Sequence, residues 1–261
     1  MSGSNDMATR AKIFKWIAAH EKTLYSPRAS MHPVGVYFSP ASRNFDAARF
    51  LASYRGVLIL MLQKHIEFQV LTPRTLAKFH ADQLVLPDVT FLSDAEISQL
   101  EHYVSGGGEL IVGGGSANGL PESKQIVRFT QSPGVKYSAG LEKSVEDGSK
   151  QAPEEFLATL KRNSEFIVEE GPLVAANAGM VNGEPHAFLT NLAGIAPHRN
   201  VVPLRESAAR VSVPASRKCM LEFCRSWKKR GQSFAGEKRI GGCLTCHRSN
   251  AGAVAWIEDT K

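Results

Sequence analysis

Four cysteines near the end of the chain are the residues whose spacing first points to chemistry. Cys243-Leu244-Thr245-Cys246-His247 spells C-x-x-C-H, the pattern that tethers a c-type haem through two thioethers with the histidine as axial ligand. Cys219 and Cys224 precede it, separated from Cys243 by eighteen residues. Four thiolates could close a tetrahedral zinc site, although Cys219-x4-Cys224 is at the loose edge of the usual first-pair spacing. The haem reading is the least favoured. It requires export or a maturation route, and "MSGSNDMATRAKIFKW" has no apolar core of a secretory signal. The motif also lies among strand-like residues, with only Met220 to suggest as a second axial ligand. No cofactor is therefore expected, and Cys219, Cys224, Cys243, Cys246 and His247 stand as an alternative metal set. The basic run "RSWKKR" (225–230) raises nucleic acid as a partner. An exposed hairpin explains it as well, and no nucleic-acid partner is expected.

The other candidates lie where short apolar runs end. "VGVYF" (34–38) ends at Ser39-Pro40, "QLVLPDV" (83–89) contains Pro87-Asp88, and "ELIVGGG" (109–115) runs into Gly114 and Ser116. Ligands of open α/β sheets bind past the carboxyl ends of the strands, so Ser39, Asp88, Gly114 and Ser116 are the candidate ligand positions. None reads as catalytic. The glycines lack the Lys-Ser/Thr of a phosphate loop, and Asn118 stands where either a G-x-G-x-x-G or a G-x-S-x-G frame needs glycine. His186 and His198 sit beside prolines in strand-rich sequence, where surface turns explain them.

The elements that would position these residues follow from periodicity. Residues 12–24 place Ile13, Trp16, Ile17, His20 and Leu24 on one helical face, and "SPRASMHP" breaks the helix. Strands follow at 34–38, 67–72, 83–89 and 109–115, with a long helix over 45–65 and a short helical turn at 73–79. Ser93-Asp94-Ala95-Glu96 spells a capping box ahead of Ile97, Leu100 and Val104 at helical spacing. Alternating strands and helices predict an open parallel sheet, and the continuously apolar "LVL" and "LIV" suit strands covered on both faces. A loop-rich stretch follows residue 120 and leads to a helix over 152–162. Beyond 165, strand patterns dominate, with Asn182-Gly183 as a hairpin turn and "GAVAWIE" as a closing strand. An antiparallel β-sandwich is expected there. The predicted divisions are 1–32 (helix and linker), 33–165 (α/β) and 166–261 (sandwich).

Net charge is +6, but the segment 205–248 alone holds eleven Lys/Arg against three Asp/Glu, leaving the remainder slightly acidic. The longest apolar run, "VLILML", is far too short to span a membrane. A cytoplasmic location is the default expectation.

Four stretches carry a resemblance: "PVGVYFSPASRNF", "EFQVLTPRTLAKF", "LVLPDVTFLSDAEISQLEHYVSGGGELIVGGG" and "GEPHAFLTNLAG". Together they resemble the C-terminal half of bacterial β-galactosidase-type glycoside-hydrolase-like proteins. There, a catalytic barrel is followed by a class I glutamine amidotransferase-like domain of the β-galactosidase trimerisation type, then a small β-sandwich. The resemblance covers most of 10–215 and the final residues. It implies a flavodoxin-like α/β fold, a role in carbohydrate metabolism, and either a homo-oligomer or a separate catalytic barrel as partner. Carbohydrate would be met only indirectly. Glutaminase chemistry is excluded, since no cysteine precedes Cys219 to act as nucleophile. The hydrolytic carboxylates of the family lie on the barrel, which this chain has no room for, so it reads as a non-catalytic half or a gene fragment.

The resemblance also offers another origin for the cysteines. Composition changes abruptly near residue 218, and the family-like "GAVAWIE" then resumes. With GC-rich codons, "CLTCHRSNAG" can be read in another frame as P-D-L-P-P-I-E-R-G, close to the family's usual approach to that ending. Residues 218–251 are accordingly expected to reflect a shifted reading frame, which the coding DNA decides.

Overall fold

The computed structural model describes residues 7–114, 117, 119–139, 153–161, 167–169, 174–192, 209–224, 239–246 and 252–258, the last three segments by their backbone. The chain divides into two compact units, His32–Asn163 and a second formed by Met1–Met31 with Ser164–Lys261.

The first unit is built on five parallel strands: β2 (Val34–Tyr37), β3 (Phe68–Leu71), β4 (Gln83–Pro87), β5 (Glu109–Gly113) and β6 (Ile126–Phe129). Their spatial order is β3-β2-β4-β5-β6. Counted within the unit this is 2-1-3-4-5, the doubly wound order of flavodoxin-like folds. The register is regular, with Gly35 opposite Leu84 and Leu84 opposite Leu110.

Strand side chains alternate between two apolar layers, as a pleat of period two requires. Val34, Val36, Val85 and Ile111 pack with Val57, Leu60 and Met61 of helix α4 (Ala47–Gln63), and with Phe156 of helix α7 (Glu154–Thr159). Tyr37, Leu84, Leu86, Leu110 and Val112 pack instead with Leu100 and Val104 of helix α5 (Asp94–Ser105). Both faces are therefore covered, which is why the strands read as unbroken apolar runs.

Two elements were not legible in the supposed loop after residue 120. Strand β6 is a half-buried edge strand of four residues. Helix α6 (Pro133–Ser138) has six residues, too few to show a periodicity. Helix α3 (Pro40–Phe45) lies where no element was expected; Ser39 caps it and Pro40 starts it. The long helix ends two residues earlier than predicted, and the turn after β3 is a 3-10 turn at Leu76–Lys78.

The second unit holds helices α1 (Met7–Ala19) and α2 (Glu21–Leu24) in place of one helix over 12–24. The break falls at His20, whose Nδ1 lies 2.7 Å from the Trp16 carbonyl oxygen. Residues 28–29, expected within a linker, form strand β1 against Val181 and Met180. The unit's other strands are β7 (Ile167–Glu169), β8 (Val174–Val181), β9 (Glu184–Asn191), β10 (Ala209–Cys224), β11 (Arg239–Cys246) and β12 (Gly252–Glu258). They join β1 in one antiparallel sheet in the order β1-β8-β9-β12-β10-β11, with β7 also on β10. Asn182 (φ 53°) and Gly183 (φ 83°) make the two-residue hairpin turn that their sequence predicts. Strand β10 runs past residue 218, where the composition changes, without interruption. The irregularity lies earlier, between Val213 and Lys218, beside Pro214, which has no N–H to give the ladder. No helix among the described residues is long and apolar enough to cross a membrane.

Helices α4 and α6 meet backbone to backbone. A methyl group built on Gly56 would lie 2.0 Å from the Gly134 carbonyl oxygen. Helix propensity alone favours alanine at Gly56 by about 1 kcal/mol. The obstacle is main chain on both sides and cannot rotate away, so the clash wins. Gly56→Ala is expected to destabilise the chain by about 2 kcal/mol, read as a lower urea midpoint by circular dichroism. A raised midpoint would show that the helices separate freely.

Candidate functional site

The order β3-β2-β4 reverses direction at β2, so the switch point of the sheet lies between the carboxyl ends of β2 and β4. Ser39 and Asp88 stand at those two ends, and Gly114 follows the neighbouring β5. Ser116 lies outside the described residues.

Ser39 is fully buried and works as a helix cap. Its Oγ accepts the Ser42 N–H at 3.1 Å and lies 3.0 Å from the Ser42 hydroxyl and 3.3 Å from the Phe91 carbonyl oxygen. Ser42, which the sequence did not single out, is the centre of the arrangement. Its Oγ accepts N–H groups from both Thr90 and Phe91 at 3.0 Å. One buried hydroxyl thus ties the loop after β4 to the helix after β2. The S-P-x-S spelling of a capped short helix was the available signal.

Asp88 takes a left-handed backbone (φ 51°), and its N–H donates to the Gly113 carbonyl at 2.7 Å. Its side chain is 1% exposed, while that of Arg49 is 60% exposed. The guanidinium of Arg49 donates from Nε to Oδ2 at 3.1 Å, and its Nη2 lies 3.1 Å from Oδ1 as an ion pair, while Oδ1 accepts no hydrogen bond among the described residues. The hydrogen bond and the ion pair together hold the arginine over the carboxylate. Asp46 places Arg49 in the first turn of α4 by accepting its backbone N–H at 3.1 Å. The hydrogen bond and charge of Asp88 raise the arginine above its ordinary value.

Glu96 closes the other side. The capping box expected from sequence is formed: Ser93 Oγ accepts the Glu96 N–H at 3.3 Å, and Glu96 Oε2 accepts the Ser93 N–H at 2.8 Å. Its Oε1 accepts the hydroxyl of Tyr37, the last residue of β2. Burial pushes the Glu96 carboxyl up, but the hydrogen bonds from Ser93 and Tyr37 together outweigh it and hold the group below its ordinary value. Burial, reinforced by Glu96, pushes the Tyr37 phenol far above the usual range.

Gly114 (φ 81°) lies against Ser132, where a methyl group would sit 2.7 Å from backbone atoms. Ser132 caps α6 and lies 2.7 Å from the Ser53 hydroxyl of α4. Ser39, Asp88 and Gly114 are thus each packed or paired against the protein's own groups. What the edge shows to solvent is different: Phe45 (72% exposed) and Phe91 (41% exposed) in edge-to-face contact at 4.4 Å, with Arg49.

The cysteines lie in the antiparallel unit. Cys219 is opposite Arg239, and Cys243 lies four residues further along β11, opposite Ser212. At strand rise this is about 13 Å, whereas sulfurs sharing one zinc are within about 4 Å of each other. Cys224 lies further still, opposite Gly252. The ladder therefore does not bring the two pairs together. His247 lies outside the described residues. Among the described residues, no group of three or more His, Cys, Asp or Glu could hold a metal ion.

No family model and no curated sequence matches the chain. Solved structures do match in fold. The α-L-fucosidase isoenzyme 2 from Paenibacillus thiaminolyticus aligns over 95% of this chain and 51% of its own, at 9% identity and TM-score 0.61. A GH42 β-galactosidase from G. stearothermophilus aligns over 94% of this chain and 44% of its own, at 10% identity and TM-score 0.53. The β-galactosidase from Bacillus circulans sp. alkalophilus aligns over 90% of this chain and 42% of its own, at 10% identity and TM-score 0.51. The fold is glycoside-hydrolase-like, and the chain spans about half the length of these structures or less.

The Tyr37–Glu96 contact gives a test with a defined sign. Glu96 titrates lower when folded, so its contribution is present above the ordinary value of 4.5 and is lost as pH falls below it. Glu96→Gln is expected to lower the urea midpoint at neutral pH and to flatten the acid side of the stability profile. Tyr37→Phe should cost about 1–3 kcal/mol at neutral pH. An unchanged acid profile in Glu96→Gln would contradict this assignment.

Proposed function

We propose that this chain is a non-catalytic accessory and oligomerisation region of a glycoside-hydrolase-like protein of β-galactosidase type, serving carbohydrate metabolism. The catalytic barrel is then a separate part. The observation that carries the reading is the contrast at the switch point. Ser39, Ser42, Asp88 and Glu96 are committed to closing the crevice, while Phe45, Phe91 and Arg49 are presented outward. A site for chemistry needs polar groups free to meet a substrate. A contact surface needs exposed aromatic and arginine side chains on a rigid support, and aromatic residues and arginine are enriched among residues that carry binding energy between proteins. The glycoside-hydrolase-like fold and the family-like stretches in the sequence support the parentage. Contact with a second copy, or with the barrel, covers the aromatic pair and removes apolar area from water.

The purified chain is expected to show no turnover of aryl galactosides or fucosides, and to self-associate in light scattering. Phe45→Ser with Phe91→Ser should weaken that association at least tenfold while leaving the circular dichroism spectrum unchanged. Clear glycoside turnover by the chain alone would overturn the non-catalytic reading. A strictly monomeric chain that also fails to bind an added barrel would overturn the assembly reading.

A further inference from the structure

A cleft of about 440 Å³ opens at the opposite, amino end of the parallel sheet, away from the switch point. Its walls come from the 3-10 turn and the segment leading into β4 on one side, and from the last turns of α5 with Gly106–Gly108 on the other. Its size is that of a small-molecule site. The floor is apolar and aromatic: Leu76 and Phe79 are buried, and the rings of Phe79 and Tyr103 lie 5.8 Å apart.

The polar groups around this floor have a common character. The Tyr103 hydroxyl donates to the Ala81 carbonyl at 2.8 Å, so its proton is used and its oxygen is left as an acceptor. Gln99 lines the wall, and its buried Oε1 accepts no hydrogen bond among the described residues. A buried acceptor without a partner costs about 1–3 kcal/mol, which a donor on a ligand relieves once the amide turns toward it. Asp82 stands at the mouth and makes no ion pair among the described residues. Helix α5 ends here, and the carboxyl end of a helix of twelve residues carries partial negative charge. Burial, then the charges of Asp82 and Glu109, push the Tyr103 phenol well above its ordinary range. Glu109 is engaged by Gln83 at 2.7 Å and Lys161 at 3.6 Å. Asp82 is therefore the carboxylate at the mouth with charge to spare. His80 and His102 flank the opening.

Acceptors, a carboxylate and a helix carboxyl end surround aromatic rings and an apolar floor. We infer that this cleft binds a small organic cation, an ammonium group carried on an apolar body. The body covers Leu76 and Phe79. The ammonium faces Asp82 and the oxygens of Gln99 and Tyr103, with the ring of Tyr103 adding attraction for a cation. A carboxylate ligand meets like charge, and a neutral alcohol loses the charge interaction. The inference is independent of the proposed assembly role, which concerns the other end of the sheet.

Calorimetric titration of the full chain with benzylammonium, benzyl alcohol and benzoate tests it. Benzylammonium is expected to bind saturably with one site, benzyl alcohol at least fivefold more weakly, and benzoate not at all. Asp82→Asn, an exposed substitution that leaves the fold intact, should weaken benzylammonium about fivefold, equivalent to about 1 kcal/mol. Gln99→Leu should weaken it as well. Absence of saturable binding, equal binding of the alcohol or of benzoate, or undiminished affinity in Asp82→Asn would overturn the inference.

Discussion

The Ser42 hydroxyl accepts two backbone N–H groups from a loop forty-eight residues away in sequence, and the carboxyl edge of the sheet depends on that arrangement. Thr90 and Phe91 lie in the connection that leaves β4, and Ser42 sits in the short helix that leaves β2. These are the two connections that diverge at a switch point, and in an open sheet they part to leave a crevice. Here a single oxygen draws them together. With Ser39 capping the helix beneath, no donor or acceptor of the two serines needs water or a ligand for partnership.

Two further contacts depend on this closure. The Asp88 carboxylate remains buried beneath Arg49, which gives it one hydrogen bond at Oδ2 and an ion-pair contact at Oδ1. The exposure of Arg49 means that solvent screens the pair, so its value lies in fixing geometry more than in net stability. Tyr37 joins the end of β2 to Glu96 in the first turn of α5, and Glu96 also closes the capping box. The result is a rigid edge whose outward face holds Phe45 and Phe91.

The sequence was most informative where a rule is local. The capping box at Ser93 and Glu96, the Asn182-Gly183 turn and the apolar strands β4 and β5 each follow from a few neighbouring residues, and each is present. The parallel sheet followed from the alternation of such elements. What could not be read depends on distant partners. Nothing near Ser42 announces that its oxygen will meet Thr90 and Phe91, and nothing near Arg49 names Asp88. By helix propensity alone Gly56 is a weakness; its meaning lies in Gly134, seventy-eight residues on. Short elements were lost for a related reason: β6 and α6 have too few residues to show a period. The four-cysteine spacing shows the same limit, because local spacing says nothing about the ladder that sets Cys219 and Cys243 apart.

The switch point of this sheet is closed by its own side chains. That closure is the central claim, and amide exchange of Thr90 and Phe91 in the chain without ligand measures it directly. Both amides donate to Ser42, so both are expected to exchange slowly, at rates near those of the buried strands β4 and β5, and to become fast in Ser42→Ala. Rapid exchange of both in the unaltered chain, slowed when a small molecule is added, would mean that the edge stands open for a ligand and would contradict the account.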